Sequence, residues 1–244
     1  SRGLSMIGGK SAPRKVVLDC DPGVDDAIAL LFAMASPEID LCAVTTVAGN
    51  APLDATTLNA LHTLRLGRKY FGAPLPPMGV GMTPPGPIPD ARDVHGPDGL
   101  GGQRIAAELA AGRGRKARIP RKNAADLIAT VLDQNAPRTV TLVATGPMTN
   151  LAVLAERHPS SFARARAVIA MGGSFFSAGN RDRAAEFNIF RDPESASKVV
   201  AFCRQEATDN SAPLVPLTFV GLDVTHQVRL FREEVASLER GPGA

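Results

Sequence analysis

The chain has 244 residues, enough to bury the core of one large domain. With 44% hydrophobic and 21% charged residues it has an ordinary globular composition, and no apolar run reaches the roughly 18 residues of a membrane span. The formal charge of +3 is small and scattered, so neither nucleic acid nor a membrane is an expected partner.

Residues 1–14 lack the apolar stretch of a signal peptide and are expected to form a flexible tail, with a single domain over 15–244. "RKVVLD" reads as a short buried strand, and "DDAIALLFAMAS" as a helix that Pro37 closes. "IDLCAVTTVAG" is a second strand, followed by a helix through "LDATTLNALHTLRLG". The stretch "GAPLPPMGVGMTPPGPIPDARDVHGPDGLGG" is too dense in Pro and Gly for long regular structure, and a loop of that length is usually functional. The basic run Arg113 to Arg118 has no aromatic residue and reads as a solvated loop.

Beyond it, "TVTLVAT" and "ARAVIAMGG" read as strands around the helix "PMTNLAVLAERHP". "DPESASKVVAFCRQ" opens with Asp192 as N-cap and Pro193 at the first helical position, and "PLVPLTFVGL" is a last strand. Apolar runs without alternation, separated by helices, indicate an α/β fold with a mainly parallel open sheet and flanking helices. Cys20, Cys42 and Cys203 form an odd, sparse set without CxxC spacing, which fits a reducing, cytoplasmic location.

Ligands of open α/β sheets sit outside the carboxyl ends of the strands. Each strand placed above runs into polar residues there: Asp19, Asp21, Asp25 and Asp26 after the first, and Asn50 after the second. The later strands end at Thr145 and at Met171. A helix N-terminus stabilises one or two of the aspartates by about 0.3–1 kcal/mol each. The others would repel one another, and a hard divalent cation with oxygen ligands relieves that repulsion.

"DCDPGVDDAIAL" resembles the N-terminal signature of the inosine–uridine-preferring nucleoside hydrolases. "TTVAGN", "DVHGPDGLGG", "LVATGPMTNLA", "MGGSFF", "GN", "AEFNIFRDPESA" and "VGLDVTH" follow in that family's order, from about Lys15 to His226. The resemblance implies a Rossmann-like fold and a Ca²⁺-dependent hydrolase that splits ribonucleosides such as inosine or uridine into ribose and free base. It implies Asp21, Asp26 and the Thr145 carbonyl as Ca²⁺ ligands, and Asp21 also as general base for the attacking water. Asp25, Asn180, Glu186 and Asn188 would hold the ribose hydroxyls, Asn50 and Met171 would line the pocket, and His95, counted with Asp21 as catalytic, would lie by the nucleobase. A purine and pyrimidine salvage role and a homodimer or homotetramer are further implications.

The residues keep their plainer readings: Glu186 and Asn188 as exposed strand positions, His95 as a loop histidine, Asn150 as a helix-start residue, and His226 as a loop residue. The family's sequence continues past "VGLDVTH" to a His-Asp pair that this chain does not contain, so the 244 residues alone are expected to bind Ca²⁺ weakly and to turn over poorly. Two alternatives follow: an inactive or truncated paralogue that binds nucleoside without turnover, and a haloacid-dehalogenase-type phosphatase. The absence of Trp favours a nonspecific or pyrimidine-tolerant enzyme, with Phe175 or Phe176 as candidates for stacking on the base.

Overall fold

The computed structural model describes residues 12–86, 90–102, 122–205, 214–229, 231 and 233. Six strands make one sheet: β1 (Arg14–Cys20), β2 (Ile39–Thr46), β3 (Met78–Val80), β4 (Val140–Ala144), β5 (Ala167–Met171) and β6 (Leu217–Val220). All pairs are parallel, in the order β3-β2-β1-β4-β5-β6. That order reverses direction between β1 and β4, which opens a crevice at their carboxyl ends.

The flanking helices are α1 (Val24–Ala35), α2 (Leu53–Phe71), α3 (Arg92–His95), α4 (Ala124–Gln134), α5 (Thr149–Arg157), α6 (Pro159–Phe162), α7 (Phe187–Arg191), α8 (Pro193–Cys203) and α9 (Leu222–Thr225). Alternate residues of β1 and β2 enter two different cores, as the period of two requires. Leu18 and Val44 pack with Leu30 of α1 and Leu64 of α2 on one face. Val17, Ala43, Leu142 and Val168 pack on the other with Ile128 of α4, Leu151 of α5, Phe162 of α6 and Val199 of α8. The central strands are therefore apolar without alternation because both faces are covered, whereas Ile169 of β5 stays exposed.

Local signals set the helix ends, although α2, read as ending at Gly67, runs on through that residue to Phe71. Asp192 accepts from the Ser195 N–H with Pro193 at the first helical position of α8, and Gly72 closes α2 at φ 66°. Strand β3, helix α4 and the short helices α3, α6, α7 and α9 have no counterpart in the sequence reading. Strand β3 is three residues inside the Pro/Gly-dense stretch, too short to show a period. Helix α4 is buried at seven of eleven positions, which blunts its amphipathic pattern. The tail through residue 11 and the run Arg113 to Arg118 lie outside the described residues. Among those residues no helix is long and apolar enough to cross a membrane.

The rings of Phe162 and Phe202 stack with centroids 4.5 Å apart, clamping α6 to α8 under the sheet. Phe162→Ala should cost about 3–5 kcal/mol, read as a lower urea midpoint with an unchanged slope; a loss below about 1 kcal/mol would show that this core collapses to refill the space.

Candidate active site

Strand β1 becomes progressively more buried toward its carboxyl end, so Asp19 and Asp21 arrive in the crevice with 3% and 0% exposure. The chain then turns through Pro22 and Gly23 into α1, which places Asp25 and Asp26 in the first helical turn. Asp26 at the third helical position accepts from the Gly23 N–H at 3.2 Å, so the helix start explains this one carboxylate. It does not explain the other two buried ones.

Their partners come from every neighbouring strand end. Asp19 accepts from Thr45 Oγ1 at 2.6 Å and from Asn150 Nδ2 at 2.8 Å. Asp21 Oδ2 accepts from the Asn50 N–H at 2.7 Å, and the Asn50 amide reaches the Asp21 carbonyl and Asp26 Oδ2, both at 3.1 Å. Thr145 Oγ1 donates to Asp26 Oδ1 at 2.6 Å. Asn150 is thus more than a helix-start residue: its amide also donates to the Thr46 carbonyl and accepts from the Met82 N–H, tying β2 and the loop after β3 to Asp19. Asn50 likewise does more than line a pocket.

Two glycines enclose Asp21. A Cβ on Gly49 would collide with Asp21 Oδ2, and one on Gly146 would come within 2.5 Å of Asp21 Oδ1. Only residues without a side chain let the loops after β2 and β4 close on this carboxylate. Despite that enclosure, Asp21 Oδ1 has no hydrogen-bond partner, and neither has Asp19 Oδ2.

Desolvation sets the electrostatics. Burial raises the Asp19 and Asp26 carboxyls to about 6, and the Asp25 charge adds to the rise at Asp26. Burial and then the neighbouring Asp26 push Asp21 well above the carboxylate range. Without a cation the cluster holds protons that the unfolded chain would release.

The second half of the site descends from β4 and β5. Glu186 and Asn188, read as strand positions from their spacing, instead open helix α7. Glu186 is its N-cap, 2% exposed, accepting from the Asn188 and Ile189 N–H groups and from Gly173 N. Burial raises its pKa, against the lowering effect of those three bonds. Asn188 Nδ2 donates to the carbonyls of Thr145 at 2.9 Å and Met171 at 3.1 Å, so one side chain joins the ends of β4 and β5. Asn180 Oδ1 accepts from the Phe187 N–H at 2.8 Å.

Opposite stands α3. His95 Nδ1 accepts from the Val24 N–H at 3.3 Å and lies 3.9 Å from Asp25 Oδ1. A neutral ring with Nδ1 accepting carries its proton on Nε2.

Asp25, Asn50, His95, Thr145, Met171, Asn180, Glu186 and Asn188 all line one cavity of about 160 Å³. Asp21 and Asp26 are not in its wall; they lie buried beneath it. Ala91, Val94, Arg181 and Phe187 also line it and were not singled out from the sequence; the Arg181 charge beside Asn180 was the one available signal. Phe175 and Phe176 are absent from that lining: Phe175 leans on Phe219, and Asp223 caps both backbone N–H groups. His226 sits exposed at the end of α9.

The oxygen-rich donor set suits a hard divalent ion. Asp21 offers an unpartnered buried oxygen, Asp26 a second carboxylate, and Thr145 a carbonyl with a lone pair beyond the one used by Asn188. Among the described residues no three His, Cys, Asp or Glu side chains gather to hold a metal by themselves.

Asp19 and Asp26 near 6 in the fold, against about 3.9 in an unfolded chain, make the folded state the better proton binder between those values. Their contribution to stability is complete below about pH 4 and is lost as the pH rises through about 6. In EDTA, urea unfolding should show a fall on the order of 2–3 kcal/mol between pH 5 and 7. A rise over that interval would mean that the carboxylates are already compensated by the protein.

The inosine-uridine preferring nucleoside hydrolase family model matches residues 16–243. The inosine-uridine preferring nucleoside hydrolase of Leishmania major is 38% identical over 217 residues, covering 88% of this chain and 62% of that protein. A pyrimidine-specific ribonucleoside hydrolase of Shewanella sp. (strain MR-7) is 38% identical over 230 residues, covering 94% of this chain and 65% of that one. Among solved structures, a plant nucleoside hydrolase superposes with a TM-score of 0.76 at 32% identity, over 93% of this chain and 66% of its own. The chain thus spans about two thirds or less of the length of these relatives. With the family model matched over nearly its whole length, the chain belongs to the inosine-uridine preferring nucleoside hydrolase family.

Proposed function

We propose that this chain carries the ribose- and metal-binding part of a Ca²⁺-dependent hydrolase that cleaves ribonucleosides to ribose and free base. The observation that carries the reading is the unpartnered Asp21 Oδ1, fully buried beneath a cavity lined by Asn, Glu and Asp side chains. A buried carboxylate oxygen without a donor is costly, and a cation removes that cost. Asp21, Asp26 and the Thr145 carbonyl would hold the ion. When bound, Ca²⁺ would orient the vicinal ribose hydroxyls and acidify a bound water.

The chain's own groups account for the rest. Asn188 and Asn50 offer amides beside the carboxylates, and Asp25 and Glu186 offer acceptors, the donor and acceptor mix that a diol requires. Asp21 takes the proton of the attacking water. As the glycosidic bond breaks, positive charge develops on the sugar ring, and the carboxylates below and beside it stabilise that charge. His95 holds a proton at Nε2 on the wall where the base would leave. A pocket built to bond hydroxyls leaves its polar groups unpaired with deoxyribose, so deoxynucleosides should be poor substrates.

The family match sets aside the phosphatase alternative. The cavity's polar lining favours inosine and uridine as first substrates to test, the kinds named for the Leishmania relative. The three free cysteines support a cytoplasmic setting, and we read residues 15–244 as one domain of a homo-oligomeric salvage enzyme.

Asp21→Ala should abolish Ca²⁺ binding in calorimetry and lower base release from inosine and uridine at least about 10³-fold. Normal Ca²⁺ binding by that variant would place the metal elsewhere. Inosine binding by the unaltered chain with no hypoxanthine released would instead favour the non-catalytic binder.

A further inference from the structure

A buried amide behind the cavity joins its floor to one wall. Asn59 sits in the second turn of α2, 2% exposed, and is not part of the cavity lining. Its neighbour Ala60 and, one turn on, Leu64 pack into the core with Leu30 of α1. Asparagine favours caps and turns over helix interiors, and burying an amide costs free energy unless its hydrogens find acceptors. Here both hydrogens reach groups distant in sequence. Nδ2 donates to the Pro22 carbonyl at 3.0 Å and to the Asp98 carbonyl at 2.9 Å. The first belongs to the turn between Asp21 and α1, the second to the loop that follows α3.

That loop is braced so that a hold on Asp98 is also a hold on His95. The Gly101 N–H donates to the His95 carbonyl at 2.7 Å, and the Gly99 N–H to the Gly96 carbonyl at 2.9 Å. Asp98 Oδ1 accepts from the Leu100 and Gly102 N–H groups at 2.9 and 2.8 Å. Gly99 has φ 79°, and a Cβ there would come within 3.1 Å of Asn59 Nδ2 and of the Ala51 Cβ. The loop therefore lies directly on the amide that holds it. From the other side, His95 Nδ1 accepts from the Val24 N–H at 3.3 Å. Pro22, Asn59, Asp98, His95 and Val24 thus close a circuit from the turn before α1, through α2, to the α3 wall and back. The Val24 bond is the longest and is open to solvent. The two Asn59 bonds are shorter and at least partly buried, so they carry more of the restraint.

The floor is held by other groups. Asp19, Asp21 and Asp26 take their hydrogen bonds from Thr45, Asn150, Asn50, Gly23 and Thr145. Loss of the Asn59 amide releases one wall of the cavity and leaves those bonds in place.

We propose that Asn59 is a positioning residue for the nucleobase, fixing His95 at the height above the carboxylate floor where the base of a bound nucleoside meets it. The proposal rests on the hydrolase reading for the identity of the ligand, while the circuit of bonds stands without it. In that reading ribose meets Asn180, Glu186, Asn188 and the floor, and the base meets His95. The amide therefore serves the base and not the sugar. A displacement of about 1 Å at a contact residue costs much of its effect on a bound substrate, even when the altered residue lies behind it.

The test measures kcat/KM for inosine and uridine, with ribose and Ca²⁺ binding by calorimetry, in Asn59→Ala, His95→Ala and the double variant. Asn59→Ala should lower kcat/KM about 10–100-fold while the affinities for ribose and Ca²⁺ change less than about twofold. In the His95→Ala background the same substitution should lower kcat/KM no further, because residues that act through one contact are not additive. Gly99→Ala, which pushes the loop off the amide and leaves α2 intact, should reproduce the loss of the single variant; thermal melts check that each variant folds. A matching loss of ribose and Ca²⁺ affinity, or a full additional loss in the double variant, overturns the positioning role. If the unaltered chain releases no base, the hydrolase reading fails, and amide hydrogen exchange decides the positioning. Exchange of the Gly101 N–H should then rise about tenfold or more in Asn59→Ala with that of Asn50 unchanged, and an unchanged Gly101 overturns the proposal.

Discussion

Three carboxylates, Asp19, Asp21 and Asp26, are buried within one turn of chain at the carboxyl end of β1, and the rest of the site answers to that placement. Buried charges are tolerated only when paired, hydrogen-bonded or neutralised. The protein supplies hydrogen bonds from Thr45, Asn50, Thr145 and Asn150, which belong to the ends of β2 and β4 and the helix after β4. It supplies no buried cation among those partners. The compensation is therefore incomplete, and the carboxyls rise toward neutrality; under the proposed function a bound cation would complete it.

That arrangement also explains why the strand ends cannot drift apart. Asn150 bonds Asp19, the Thr46 carbonyl and the Met82 N–H at once, while Asn188 bonds the carbonyls of Thr145 and Met171. Two amide side chains thus staple the ends of β1, β2, β4 and β5 and the loop after β3. Each amide replaces backbone partners that the sheet no longer offers beyond its last rung. The rigid floor so made lets the two walls, α3 and the 179–187 turn, differ in chemistry without disturbing the carboxylates. The walls differ in what they present: one carries His95, the other Arg181, whose guanidinium lies over the Phe187 ring 5.9 Å from its centroid.

Much of this was legible in the sequence. Uninterrupted apolar runs between helices required a doubly covered parallel sheet, and the polar residue closing each run marked the rim. Every residue assigned to substrate contact by resemblance lines the cavity; most stand near a strand end or helix start that the sheet positions, and Asn180 is held in its loop by the Phe187 N–H. What was not legible has physical reasons. Glu186 and Asn188 have strand spacing, yet the carboxylate of Glu186 captures two following N–H groups and starts a helix. Strand β3 is too short to carry a period, and its pairing to β2 is a gain from neighbours. The phenylalanines offered for stacking were placed by the turn that Asp223 caps, away from the cavity.

By itself, the sequence determined the class of fold, the polar rim and the identity of the groups that can meet a diol and a hard cation. The first two depend on residue type and local spacing, which are read directly; the last is what the resemblance to the family implies. Tertiary structure alone decided that Asp21 keeps one oxygen without a donor while Asp19 and Asp26 are bonded from neighbouring strands. It also decided that Arg181 lines the cavity without an ion pair to any described carboxylate. Both facts are balances among groups distant in sequence, and only the packed chain brings those groups within reach of one another.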